Sequence, residues 1–96
     1  MEEKLLCAAI WYKDYESPVH NVKNIEKGIV LCGYRHGFIM GQFKALTGKR
    51  TPSFNHEQGF LTSKNRFVDR VEAREMFIKA GGIPEFSKEL YSEDLY

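Results

Sequence analysis

Gly59-Phe60-Leu61-Thr62-Ser63-Lys64-Asn65-Arg66-Phe67-Val68-Asp69-Arg70-Val71-Glu72 is the stretch on which the fold turns. Gly59 to Ser63 and Arg66 to Val68 read as two short strands around a Lys64-Asn65 turn, because asparagine tolerates the left-handed backbone that a tight turn demands. Asp69 then has the chemistry of a helix N-cap, and Glu72 three residues later makes a capping-box-like pair with it. The helix runs to Ala80, with Ala73, Met76, Phe77 and Ala80 spaced to face a core, and Gly81 stops it.

Working outward toward the N-terminus, Leu5-Leu6-Cys7-Ala8-Ala9-Ile10-Trp11-Tyr12 is too short and too continuously apolar for an amphipathic helix, and reads as a buried strand. Lys13 to Lys27 contains Ser17-Pro18, Asn21 and Asn24, so it is a loop leading to a second strand, Gly28 to Gly33, paired antiparallel with the first. Arg35 to Leu46 shows helical spacing: His36, Ile39, Met40, Phe43 and Leu46 recur at three and four, and Gly48 is placed to end the helix. Gly37, Gly41 and Ala45 make a stripe of small residues on that helix. Each glycine costs a helix about 1 kcal/mol, so the stripe implies close approach of another backbone, within the fold or across a dimer. Lys49 to Gln58 lacks periodicity and reads as a loop. Beyond Pro84, Ser92-Glu93-Asp94 predicts a helical turn anchored by Leu90, Leu95 and Tyr96. The expected class is α+β, an antiparallel sheet with two helices in the order β-β-α-β-β-α.

Ninety-six residues make one domain. No apolar run is long enough to span a bilayer, and the first residues lack a basic region followed by a hydrophobic stretch, so the expected location is the cytosol. Cys7 and Cys32 lie in apolar stretches. Two buried free thiols suit a reducing compartment, whereas a disulfide requires the two stretches to be neighbouring strands. His20, His36 and His56 are too scattered, with two cysteines, to suggest a zinc site, and no other cofactor is implied.

The net charge of +1 conceals an uneven distribution. Residues 34–74 hold eight basic and three acidic side chains, while residues 1–33 and 75–96 are both mildly acidic. A basic centre suits an anionic ligand. Arg35-His36 sits where a strand passes into a helix, and Arg66, Asp69 and Arg70 bracket the next helix start. If both helix starts lie at one end of the sheet, Arg35, His36, Arg66 and Arg70 converge on one charged ligand. Asp69 itself is more simply a cap. No paired metal ligands, phosphate-binding glycine loop or nucleophile elbow is present, which points away from an enzyme. His56-Glu57 is a weak candidate acid–base pair. No nucleic-acid reader motif occurs and the charge balance is near neutral, so nucleic acid is an unlikely partner.

Arg35-His36, Gln58 to Ser63, Arg66 to Arg70, Glu72-Ala73, Ala80-Gly81 and Leu90 to Leu95 together resemble a family of small phage and prophage proteins. That family resembles in turn the Thoeris anti-defence sponges, which sequester cyclic ADP-ribose-type immune signals without degrading them. The resemblance implies a homo-oligomer holding a nucleotide-like anion at subunit boundaries. Arg35, His36, Phe60, Arg66 and Arg70 are the ligand-binding positions it implies, with an aromatic ring for adenine and arginines for the diphosphate. Gly37 after His36 and Gly82 after Ala80-Gly81 depart from the expected pattern. The alternatives are a protein–protein interaction module inhibiting a host protein, and a small phosphohydrolase with His36 or His56 as base.

Overall fold

The computed structural model describes residues 2–15, 21–84 and 89–95. Its strands are β1 (Leu5–Tyr12), β2 (Ile29–Gly33), β3 (His56–Thr62) and β4 (Phe67–Asp69); its helices are α1 (His36–Thr47), α2 (Arg70–Lys79) and the single turn α3 (Ser92–Leu95). The strands form one antiparallel sheet in the order β2-β1-β3-β4. The α+β architecture, the order β-β-α-β-β-α and the C-terminal helical turn, α3, are as the sequence predicts, with a 3-10 turn at Thr51–Ser53 added. The Ser17-Pro18 turn, the anchoring by Tyr96 and the side chain of Leu95 lie outside the described residues.

Register explains the continuous apolarity of β1. Ala8 pairs with Gly33 on one side and Phe60 on the other, and Phe60 pairs with Val68, so these residues share a face. On that face Ala8, Ile10 and Tyr12 pack against Ile39 and Phe43 of α1, while Phe60 and Val68 pack against Ala73 of α2 and Leu90. The opposite face carries Ala9, Trp11, Val30, Leu61 and Phe67, covered by Val22 and Ile25 from the β1–β2 connection. A central strand buried on both faces has no polar side to display, which removes the usual period-two alternation.

The β1–β2 connection is therefore a structural cover. Lys23 donates its N–H to Asn65 O at 2.8 Å, and the Asn24 amide bridges both backbone groups of Phe67, accepting from its N–H at 2.8 Å and donating to its carbonyl at 2.7 Å. β4 is an edge strand, and Asn24 satisfies polar groups that would otherwise invite another chain to pair there.

Several boundaries differ from expectation for local reasons. β3 starts at His56 rather than Gly59, because His56, Glu57 and Gln58 pair with Tyr12, Trp11 and Ile10 despite their polarity. Leu46 is 84% exposed and Ala80 is also exposed, since the ends of both helices run past the surface they pack on. Asp69 Oδ1 accepts from the Glu72 N–H at 2.8 Å, as expected of the cap. The Glu72 carboxylate, however, accepts from Arg66 at 3.0 Å. Asn65 takes φ 58 in the hairpin turn. Gly48, at φ 75, closes α1 by donating its N–H to Lys44 O at 2.8 Å. Gly59 is required by close packing: a β-carbon there would meet the Val68 carbonyl and lie 2.8 Å from the Phe67 ring.

Candidate functional site

The five residues singled out from the sequence do not meet at one opening. Phe60 is 0% exposed within the core, so its ring has no face left for a stacked base. His36 is buried, and its Nε2–H donates to Gly59 O at 2.7 Å while its ring meets Phe60 edge-on at 5.3 Å. A carbonyl only accepts, so Nε2 carries a proton and His36 acts as a tie between α1 and β3. Arg35, half-buried at the N-cap of α1, lies over the Tyr34 ring at 5.0 Å.

Arg66 is committed to the fold. Its Nε and Nη2 grip both oxygens of Glu3 at 2.8 and 2.9 Å, and Nη2 also reaches Glu72. The Thr62 hydroxyl donates to the same Glu3 carboxylate at 2.6 Å. These donors, Arg66 first, hold the Glu3 carboxyl down at about 2, and the two carboxylates raise the Arg66 guanidinium in turn. The cluster fastens the chain before β1 to the β3–β4 hairpin and to α2, leaving Arg66 little charge to offer a ligand.

Of the five, Arg70 lines a cleft. That cleft, about 340 Å³, opens beside the start of α2 and is also bounded by His56, Glu57, Gln58, Asp69 and Glu89. Arg70 Nη2 donates to Gln58 Oε1 at 2.6 Å, its guanidinium lies over Tyr91 at 4.6 Å, and Glu89 stands 3.9 Å away. Three carboxylates against one guanidinium make this a poor seat for an anion. Among the described contacts, His56 and Glu57 do not pair with each other. Strand alternation sends His56 and Glu57 to opposite faces, His56 Nδ1–H donates to Phe54 O at 3.0 Å, and Glu57 pairs with Lys13 at 3.8 Å. Another cleft, about 550 Å³ between the N-terminal segment and α2, sets Glu2 and Glu3 against Lys4 and Lys79.

The surface suited to an anion lies elsewhere. A groove of about 360 Å³ runs between α1 and the 3-10 turn, lined by Met40, Gly41, Lys44, Arg50, Thr51 and Pro52, with no carboxylate among the described residues of its wall. The buried Thr51 hydroxyl is hydrogen-bonded to Tyr12 OH at 2.7 Å, which fixes the turn, and hence Arg50, against the sheet. Burial pushes the Tyr12 hydroxyl up, keeping it neutral. Tyr12 itself stacks on Phe43 of α1, with ring centroids 4.1 Å apart. Lys44 and Arg50 form no ion pair with the described residues. Gly41 exposes the helix backbone in the same wall, with nothing within 4 Å of where a β-carbon would stand. Lys49, over the Phe54 ring at 5.6 Å, adds a third cation nearby.

Residues 4–96 match the phage T4 y16D protein family. The chain belongs to that family. No curated protein and no solved structure matches it. Membership makes this one of a family of small phage proteins, in keeping with the phage resemblance. Among the described residues no helix is long and apolar enough to cross a membrane, and no group of three or more His, Cys, Asp or Glu stands together to hold a metal ion. The groove residues Lys44 and Arg50 carried a signal in the sequence that the broader charge count diluted. Between Glu26 and Glu57 the chain has thirty residues without a single Asp or Glu, and five of them are Lys or Arg.

Proposed function

We propose that this phage protein is a non-catalytic binder that sequesters an anionic, nucleotide-like small molecule of the cyclic ADP-ribose or cyclic-nucleotide type, and that the groove beside α1 receives its phosphates. The observation that carries this reading is that Lys44 and Arg50 line one groove, with no carboxylate among the described residues to pair them, beside a helix surface laid bare by Gly41. Two cations lining one groove are drawn to an anion more than to each other, and hydrogen bonds from them to phosphate are charge-assisted. Met40 and Pro52 supply apolar walls for a base or sugar. Sequestration needs tight ground-state binding and no transition-state stabilisation, so the site asks for no nucleophile.

The groove is open on one side. Gly37, Gly41 and Ala45 are all exposed, so the small-residue stripe serves no packing among the described residues. A second copy laid along it would close the groove at a subunit boundary, which suits a chain too small for a private deep pocket. This homo-oligomeric arrangement belongs to the proposal.

Isothermal titration with cyclic ADP-ribose-type and cyclic-nucleotide ligands at low salt, with chromatography of the recovered ligand, tests the reading. Binding with intact ligand, weakened about tenfold or more by Lys44→Ala or Arg50→Ala, is the expected result. Altered ligand would make the protein an enzyme. Binding that survives both substitutions, or no binding, would sink the groove as the site.

One observation favours a second reading, an interaction module aimed at a host protein. Tyr34 and Phe38, flanking the start of α1, are 60% and 57% exposed. Exposed aromatics of this kind are common anchors at interfaces. In that case Tyr34→Ala and Phe38→Ala abolish partner binding, while Lys44→Ala and Arg50→Ala leave it unchanged.

A further inference from the structure

The two cysteines come together on the sheet face away from the helices. Ala9 pairs with Cys32 and Ala8 with Gly33, so Cys7 and Cys32 project from the same face as diagonal neighbours on adjacent antiparallel strands. Both thiols are free. Contrary to the expectation of burial, Cys32 is exposed and Cys7 only partly covered, because the β1–β2 connection shields Ala9 and Phe67 and leaves this corner open. The contact between the two thiols brings Cys7 down to about 7 and pushes Cys32 up.

We propose that Cys7 and Cys32 form a reactive dithiol that is reversibly oxidised to a β1–β2 cross-strand disulfide by a low-molecular-weight disulfide such as glutathione disulfide, with Cys7 as the attacking sulfur. The Cys7 thiolate attacks one sulfur of the oxidant, forming a mixed disulfide and expelling one thiolate. The Cys32 sulfur, losing its proton to solvent, attacks Cys7 and expels the second. The protein gives up two electrons and two protons, and one oxidant molecule becomes two thiols. Diagonal neighbours sit slightly wider than an unstrained disulfide prefers, so closure draws the strands together by about 1 Å. The site can accommodate this movement, since Gly33 is the last paired residue of β2 and β1 has its register irregularity between Leu5 and Cys7. Exposure and this small mismatch make the bond easy to reduce again, the property of a labile disulfide rather than a structural one.

Intact-mass measurement after treatment with glutathione disulfide at pH 7 tests the proposal. Wild-type protein should lose two hydrogens, retain no glutathionyl group, yield a Cys7–Cys32 cross-linked peptide and revert with dithiothreitol. Cys32→Ser keeps a hydroxyl donor beside Cys7 and should trap one glutathionyl group there. Cys7→Ser should react about fivefold more slowly, the gain in thiolate fraction at Cys7 being partly offset by its lower nucleophilicity. Stable glutathionylation of the wild type, an unreactive wild type, or equal rates for the two single variants would overturn it. The wild-type measurement decides the matter even if a variant fails to fold.

Discussion

The two principal helices lie on the same face of one sheet and are finished in opposite ways. α2 begins on a side-chain cap from Asp69, carries Glu72 in its first turn, and is surrounded by basic groups already spoken for: Arg66 by Glu3 and Glu72, Arg70 by Gln58 and Glu89. α1 begins with no side-chain cap, has no acid in its first turn, exposes two glycines, and borders a groove with two cations that no described carboxylate meets. Arginines next to helix starts are thus poor guides to a ligand when carboxylates stand within reach. The difference separates a half whose charges are paired within the fold from a half whose cations stay unpaired among the described residues.

The largest expected effect falls on the α2 half. Phe60→Ala removes a fully buried ring from between β3, Val68 and Ala73 and should cost about 3–5 kcal/mol in denaturant unfolding. A residue kept for stacking a ligand would instead lose affinity with little change in stability. Next comes Asp69→Ala, which leaves the Glu72 N–H without its acceptor at the start of α2. A loss of about 1 kcal/mol is expected, measurable as a shifted denaturation midpoint at unchanged slope.

The α2 half was also the more legible in sequence, for the same reason. Asn65, Asp69 and Gly81 are local signals whose meaning does not depend on distant residues: a left-handed turn residue, a cap and a stop. Phe60 and Val68 announced strands by apolarity, yet nothing local said that Phe60 would be enclosed by Leu90 from the far end of the chain. The start of β3 was hidden because His56, Glu57 and Gln58 are polar and owe their strand conformation to pairing with β1. Arg66 and Arg70 looked alike as charges near a helix start. Only the fold brings Glu3, 63 positions away in sequence, onto Arg66. The groove at α1 needed the opposite inference, from acids that are missing between Glu26 and Glu57.

The Glu3–Arg66 cluster makes a pH prediction with a definite sign. The Glu3 carboxyl is lowered from 4.5 to about 2 in the folded protein, so its contribution is fully present above pH 4.5. That contribution is lost as pH falls from there toward 2, because the unfolded chain then binds the proton more readily. Glu3→Gln should flatten this part of the stability–pH curve, and Lys13, whose contact with Glu57 is looser at 3.8 Å, should show no comparable effect when replaced by alanine. Added salt should shrink the Glu3 effect, since Arg66 and Glu72 are partly exposed.

The smallest effect on stability, and one of opposite sign, is expected at Gly41. It lies inside α1 without a positive φ, and nothing stands within 4 Å of its missing β-carbon. Gly41→Ala should therefore stabilise the protein, by about 0.5–1 kcal/mol, through the ordinary gain in helix propensity. A glycine retained where alanine would serve the fold better fits a helix surface that something must approach closely. If the groove receives a phosphate or a second copy packs along the stripe, the added methyl should weaken that binding even as the melting temperature rises. A variant that is both more stable and equally competent to bind would separate Gly41 from the groove's function and leave Lys44 and Arg50 to act from the rim.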